Sequence, residues 1–182
     1  MNYKKLAIFV EGPDDEYFVE KVIKPFLTEK YNDIKIVKYS RIDKQKLKNW
    51  IQTYQRMPNC DYIFFCDFDS QGNKSYCVTK RKQKALKMEN KKLDLNKIMV
   101  VKEEIESWYL AGIVTEKAKE FKLKEKLFLD TAKITKEAFE KLIPKKFLSK
   151  TDFMVEILKT YDFAKAKKCN ASLAYFERKF MS

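Results

Sequence analysis

Histidine is absent from the 182 residues of this chain, and glycine and proline are scarce, with three and four residues. The lack of histidine excludes zinc sites that use imidazole, Ser-His-Asp triads, Cys-His dyads and haem held by histidine. Long apolar runs are also missing: those present, such as Leu6–Val10 and Ile98–Val101, are far too short to cross a bilayer. No apolar segment typical of a signal peptide follows Met1, so we expect a cytoplasmic protein with no membrane partner.

Cysteine is present but unpatterned, because no two cysteines form a Cys-x-x-Cys pair. Scattered thiols without ligand spacing favour reduced side chains in a reducing compartment over a structural metal site. The four positions are Cys60, Cys66, Cys77 and Cys169.

Positive charge is abundant and unevenly spread. The chain has 39 basic and 26 acidic residues, a formal charge of +13, and the segment from Ser70 to Lys102 has ten basic and two acidic residues. This net +8 is either a solvated helix face or a surface for a phosphate backbone, which clustered lysine and arginine bind by releasing counterions. The candidate nucleic-acid-binding residues are Lys80, Arg81, Lys82, Lys84 and Lys87.

The apolar pattern predicts an α/β domain. Hydrophobic residues make up 45% of the chain, and four apolar runs read as strands separated by segments with helical spacing. This order predicts a mostly parallel four-stranded sheet flanked by helices, with the second strand at an edge and the third in the centre. The predicted strands are Leu6–Val10, Ile34–Tyr39, Tyr62–Cys66 and Lys97–Val101, and the helices between them begin near Asp14, Asp43 and Thr79.

The pattern changes after Glu106, where helical spacing continues and no further strand is needed. We therefore expect a sheet domain over residues 1–110 and a helical C-terminal extension, packed on it, over residues 111–182. In the extension, Asn170 or Ser172 is expected to cap the last helix, and Trp108 is expected to be a core residue.

Acidic residues follow three of the four predicted strands. Because the carboxyl ends of parallel strands meet at one edge of a sheet, where ligands bind in open α/β folds, these side chains are expected to gather there. Crowded carboxylates repel one another, and a divalent cation removes that cost; oxygen ligands without histidine or cysteine favour Mg²⁺ or Mn²⁺. Taken alone, the first group is typical of a capped strand-to-helix turn and the last of an acidic first turn, while an Asp-x-Asp pair also occurs in sugar-nucleotide enzymes, phosphatases and plain loops. The residues are Glu11, Asp14 and Asp15 after the first strand, Asp67 and Asp69 after the third, and Glu103, Glu104 and Glu106 after the fourth.

Two of these groups resemble the TOPRIM domain, which topoisomerases, primases, OLD-family nucleases and ribosomal-RNA maturases share. The resemblance rests on an apolar strand followed by Glu11-Gly12-x-x-Asp15, and a later apolar strand followed by Asp67-x-Asp69. The segment from Glu104 to Ala111, with Asn170-Ala-Ser172 near the C-terminus, resembles small stand-alone TOPRIM-like bacterial proteins related to the OLD nucleases. The glycine that usually follows the Asp-x-Asp pair is displaced here to Gly72.

The resemblance implies a Mg²⁺-dependent phosphoryl-transfer site and a TOPRIM-like fold. It implies that Glu11, Asp67 and Asp69 are catalytic metal ligands and that Asp15, Glu104 and Glu106 are the further metal ligands. Lys102, or the basic segment around Lys80–Lys87, would screen the charge of the phosphate. The expected activity is hydrolysis of a nucleic-acid phosphodiester, DNA or RNA, with a role in host defence suggested by the resemblance alone.

The sequence leaves three functions open. No Gly-x-x-x-x-Gly-Lys motif is present, so the ATPase half of full OLD proteins is missing and a nuclease could act with an ATPase partner. A phosphatase of the haloacid-dehalogenase kind would use Asp67 as a nucleophile and form an aspartyl phosphate. A module without catalysis would bind nucleic acid or a partner protein through its basic face.

Overall fold

The computed structural model describes residues 3–68, 78–88 and 93–181, and it contains the α/β fold that the sequence predicts. Four strands form one all-parallel sheet in the order β2-β1-β3-β4, with β2 at an edge and β3 inside the sheet, as predicted. The strands are β1 (Lys5–Val10), β2 (Asp33–Lys38), β3 (Cys60–Phe68) and β4 (Ile98–Lys102).

Helices connect the strands in the first half of the chain. A long helix follows β1 as α1 (Pro13–Phe18), a π-helical segment over Val19–Ile23, and α2 (Lys24–Leu27). The departure from α-geometry lies just before Pro25, whose ring would clash with a carbonyl four residues back in a regular α-helix, so it has a physical cause. The other connecting helices are α3 (Lys44–Arg56) and α4 (Val78–Met88).

Short helices make up the remainder of the chain, as the sequence predicts for its C-terminal part. They are α5 (Glu106–Ala111), α6 (Thr115–Glu120), α7 (Lys136–Glu140), α8 (Lys150–Leu158), α9 (Phe163–Cys169), α10 (Ala171–Phe176) and a π-helical segment over Glu177–Met181. None of the helices among the residues described has the length and apolar character needed to cross a membrane.

The chain divides into two compact units, Met1–Val100 and Val101–Ser182. The sequence predicts a helical extension that begins at residue 111, whereas the second unit already contains α5 and the Glu104–Ala111 motif. The reason is a set of hydrogen bonds inside the second unit. Ser107 accepts a bond from Asn170, and the Trp108 indole donates to Ser172 at 2.8 Å.

The core of the first unit lies on both faces of β1 and β3, whose central residues are almost completely buried. On one face Phe9 and Phe64 pack with Leu47 and Ile51 of α3. The apolar spacing of α3 produces that contact, and Asp43 fixes where the helix begins by accepting bonds from two backbone N–H groups of its first turn. This core holds the carboxyl ends of β1 and β3 in register.

Candidate functional site

Pairing register brings the ends of three strands to the same level. In the parallel sheet Val10 lies opposite Lys38, and Phe9 lies opposite Phe64. Continued by two residues, the same register sets Glu11 beside the stretch that begins at Cys66 and runs into Asp67. It also sets Glu11 beside Tyr39, the residue that follows β2.

Tyr39 is the point where these segments meet. Its hydroxyl donates to the backbone carbonyl of Phe65 at 3.1 Å and to Oε2 of Glu11 at 3.4 Å. Its ring stacks on Phe64, with ring centroids 4.7 Å apart and planes 18° from parallel. Tyr39 therefore connects the ends of β1, β2 and β3 through one hydroxyl.

The charges of three of the expected acids act on this hydroxyl. Burial is the main reason that the pKa of Tyr39 lies well above its usual value, and the nearby charges of Glu11, Asp67 and Asp15 raise it further. Tyr39 is thus a neutral hydrogen-bond donor at any physiological pH. Three predicted metal ligands from two strand ends are close enough to act on one phenol.

The three acids differ in their surroundings. Glu11 is exposed and Asp67 is half-buried at the end of β3. Asp15 is only 5% exposed, and its Oδ2 accepts the backbone N–H of Gly12 at 2.9 Å. Gly12 is the N-cap of α1, and the Asp15 side chain caps the helix by accepting the Gly12 N–H from the third helical position.

A basic residue of α4 also lies at the end of β3. The Nε of Arg81 donates to the backbone carbonyl of Asp67 at 2.5 Å. Burial raises the pKa of the Cys66 thiol to about 12; the positive charge of Arg81 opposes this rise, whereas the charges of Asp67 and Glu11 add to it. A guanidinium and two carboxylates therefore lie around the end of β3.

The other basic candidates are less fully defined. Lys80 is exposed, and the Lys82 ammonium donates to the carbonyl of Leu95 at 3.4 Å. The side chains of Lys84 and Lys87 lie outside what the structure describes, and so do Asp69 and Cys77. The remaining cysteines, Cys60, Cys66 and Cys169, are free thiols.

A second set of predicted residues lies in the second unit, after β4. Glu106 is 4% exposed and forms an ion pair with Lys150 at 3.0 Å. Glu104 accepts the backbone N–H of Lys136 at the start of α7. Burial, and then the charge of Glu106, raises the pKa of Glu104. Glu104 and Glu106 are thus close to each other, and their proximity to Glu11 and Asp67 stays a prediction.

Lys102 and Glu103 are the other predicted residues at the end of β4. The carbonyl of Lys102 accepts the Ser107 hydroxyl at 3.4 Å. Burial would raise the pKa of Asp130, but Lys133 and then Lys102 lower it, and the net result is a lowered pKa. The charge of Lys102 therefore acts on Asp130, an acid of the second unit. Glu103 has a φ of 59°, a left-handed conformation that turns the chain between β4 and α5.

The carboxylates suit a hard cation in kind, since oxygen ligands are those that Mg²⁺ and Mn²⁺ prefer. Across residues 3–68, 78–88 and 93–181, however, no three acidic or cysteine side chains lie together closely enough to hold a metal ion. The Asp-x-Asp pair is represented there by Asp67 alone.

Sequence reasoning missed Tyr39 because it searched the strand ends for charge, and Tyr39 carries none. A signal was available: a tyrosine directly after an edge strand, at the same level as the acids of its neighbour, is placed to donate a hydrogen bond to them.

Comparisons with protein families, with curated proteins and with solved structures find no match for this chain. The resemblance to the TOPRIM domain and the OLD nucleases therefore depends on the motif residues alone.

Proposed function

We propose that this protein is a Mg²⁺- or Mn²⁺-dependent phosphodiester hydrolase that acts on nucleic acid, of TOPRIM and OLD type. The observation that carries the proposal is the hydrogen bond from Tyr39 to Glu11, with Asp15 and Asp67 near enough for their charges to act on the same hydroxyl, at the edge of the sheet where α/β proteins bind ligands. Arg81, bonded to the backbone of Asp67, adds a positive group for a phosphate at the same point.

Glu11, Asp67 and Asp69 are the residues that would hold the cation, with Asp15 beside them. A bound divalent ion would supply charge neutralisation for the phosphate and lower the pKa of water. The chain's own groups would do the positioning. Tyr39 donates to Glu11 and limits where its carboxylate can lie. The Nε bond of Arg81 fixes one side of its guanidinium, and a planar fork fixed in this way suits a phosphate oxygen pair.

The test is cleavage of end-labelled single- and double-stranded DNA and RNA with Mg²⁺ or Mn²⁺ present, and with EDTA. We expect Glu11→Ala and Asp67→Ala to reduce metal-dependent cleavage by at least about a hundredfold, since a lost ligand costs no less than a lost supporting group. Glu29→Ala is the matched control, because Glu29 is an exposed glutamate of the same unit outside the strand ends. Thermal unfolding checks that each variant is folded, and wild-type rates in both variants would contradict the proposal.

One observation favours a second function, binding without catalysis. The described residues contain no group of three acids able to hold a metal, while Arg81 of the basic helix α4 bonds to the backbone of Asp67. In that case the protein would bind nucleic acid equally well in EDTA and after Asp67→Ala, and no substrate would be cleaved. The same experiment separates the two functions.

A further inference from the structure

A cavity of about 490 Å³ opens at the amino-terminal edge of the sheet, at the other end of the strands from Glu11 and Asp67. Residues at the starts of β1, β3 and β4 and in the last turn of α3 line it. Strand β3 has nine residues and is therefore about 30 Å long, which separates the cavity from the acidic edge. Its volume lies in the range of small-molecule sites, and neither the motifs nor the proposed function accounts for it.

The acidic group at the base of this cavity is already satisfied. Asp61 accepts the Tyr31 hydroxyl at 3.2 Å, the Lys97 ammonium at 2.7 Å and the backbone N–H of Tyr62 at 2.7 Å. Burial, and then the charge of Asp61, raises the pKa of Tyr31 to about 12, so that this phenol stays a donor. Asp61 therefore has little capacity left to bind a cationic ligand.

Tyr62 has the opposite character. It is 2% exposed and lines the cavity, and its hydroxyl oxygen accepts the Asp94 backbone N–H at 2.7 Å and the Gln55 amide at 3.0 Å. Two accepted bonds occupy both lone pairs of a phenol oxygen, and what remains is its proton. Tyr62 is thus held in place as a hydrogen-bond donor.

Further donors surround the opening. Within the described part of the chain, no carboxylate lies at ion-pair distance from the Lys4 ammonium, which is exposed at the rim. Tyr54 contributes a half-buried phenol ring from α3. The carboxylate of Asp94 is engaged as the cap of a 3₁₀ turn, where it accepts the Asn96 N–H at 2.8 Å. The groups that remain to bind a ligand are therefore an ammonium and a hydroxyl donor, next to aromatic rings.

We propose that this cavity binds a small anion that carries a flat heteroaromatic ring, of the class of nucleoside monophosphates. The phosphate would pair with Lys4, and the ring would lie against the phenol of Tyr54, since base–aromatic stacking tolerates any base. The Tyr62 hydroxyl would donate a hydrogen bond to an oxygen or nitrogen of the ring or the sugar. This inference does not require nuclease activity, because the cavity and the acidic edge lie at opposite ends of the sheet.

The test is isothermal titration calorimetry of the full chain with AMP, GMP, CMP and UMP in EDTA, which removes any divalent metal. We expect saturable one-to-one binding of at least one nucleotide, about tenfold or more tighter than its nucleoside or inorganic phosphate, because each lacks one half of the contacts. No saturable binding of any of the four nucleotides overturns the proposal.

Variants locate the binding. Lys4→Met and Tyr54→Leu should each weaken it by about tenfold, whereas Lys44→Met, which removes an exposed ammonium from the other end of α3, should leave it unchanged. Tyr54→Met, which also removes the ring but keeps a long apolar side chain, replaces Tyr54→Leu if thermal unfolding shows that the latter is not folded. Nucleotide binding that survives both changes at Lys4 and Tyr54 would lie elsewhere and overturns the assignment.

Discussion

Asn170 joins three segments of the second unit through one buried amide. Its Oδ1 caps α10 by accepting the backbone N–H groups of Ser172 and Leu173 at 3.1 and 3.2 Å. Its Nδ2 donates to the hydroxyls of Ser107 at 3.2 Å and Thr131 at 3.1 Å. Both ends of the amide are therefore satisfied inside the protein, which is the condition under which a buried polar group stabilises a fold.

We expect Asn170→Ala to lower the free energy of unfolding by about 2–4 kcal/mol, from the lost cap and from two buried hydroxyls that lose a donor. Asn170→Ser keeps a capping oxygen, adds no charge to the interior and loses both Nδ2 donors, so its loss should be smaller. Urea unfolding measures both, with Asn49→Ala on the exposed side of α3 as the control. A wild-type midpoint for Asn170→Ala would show that the network contributes nothing.

Single residues also show where sequence reasoning succeeds and fails. Asn170 is recognisable as a cap from its neighbours alone, and the structure confirms it. Its partners Ser107 and Thr131 lie 63 and 39 residues away, and no local pattern indicates them. Tyr39 is a different case: its position after an edge strand was a signal, but it carries no charge, and its role follows from the register between β1 and β2.

At the scale of elements, α6 and α8 are connected by an ion-pair network on top of an aromatic cluster. Lys117 of α6 pairs with Glu156 of α8 at 2.7 Å, and Glu156 also pairs with Lys159 at 2.7 Å. Beneath them the Phe153 ring contacts Phe121 and Phe139, with centroids 5.3 and 5.5 Å apart. The rings supply the apolar burial, and the charges cover its edge.

The network makes a pH-dependent contribution. Hydrogen bonds from Lys117 and then Lys159 lower the pKa of Glu156 to about 2, below the value of 4.5 in an unfolded chain. A carboxyl group whose pKa is lower in the folded state stabilises the fold at pH values above its unfolded pKa. It loses that contribution as the pH falls through its folded pKa. Glu156→Gln should therefore cost about 1 kcal/mol or less near pH 7, and this difference should disappear as the pH falls from about 4.5 to 2.

Chemical denaturation at several pH values measures the effect. The matched control is Glu140→Gln, since Glu140 is exposed at the end of α7 and forms no ion pair with the residues described. A constant difference between Glu156→Gln and wild type across the pH range would show that packing, and not charge, accounts for the loss.

Elements were predictable to the extent that their pattern is local. The strands and the helices α3 and α4 follow from runs and spacing that need no partner, and their predicted positions are close to those in the structure. Helices α6 and α9, six and seven residues long, were not predicted, because so short an amphipathic pattern is indistinct and tertiary contacts hold them in place.

At the scale of the whole molecule, the two compact units have different contents. The first contains the sheet apart from the last two residues of β4, the acids whose charges act on Tyr39, and the basic helix α4, so these elements of the proposed activity belong to one unit. The second contains Glu104 and Glu106 within a helical framework. The sequence predicts one edge for all these acids, and for Glu104 and Glu106, which belong to the second unit, that placement stays a prediction.

The net charge of +13 gives the final prediction, the dependence of nucleic-acid binding on salt. Each cation that neutralises a phosphate on double-stranded DNA contributes about 0.9 to the slope of log K against log salt concentration. Replacing Lys80, Arg81 and Lys82 with alanine should therefore reduce the slope by about 2–3 if all three meet the backbone.

The control removes the same charge from exposed positions of the second unit, Lys119, Lys122 and Lys124. Fluorescence anisotropy between about 50 and 200 mM salt measures both variants. Equal slopes for the two variants would mean that total charge, and not the position of α4 beside Asp67, attracts the nucleic acid.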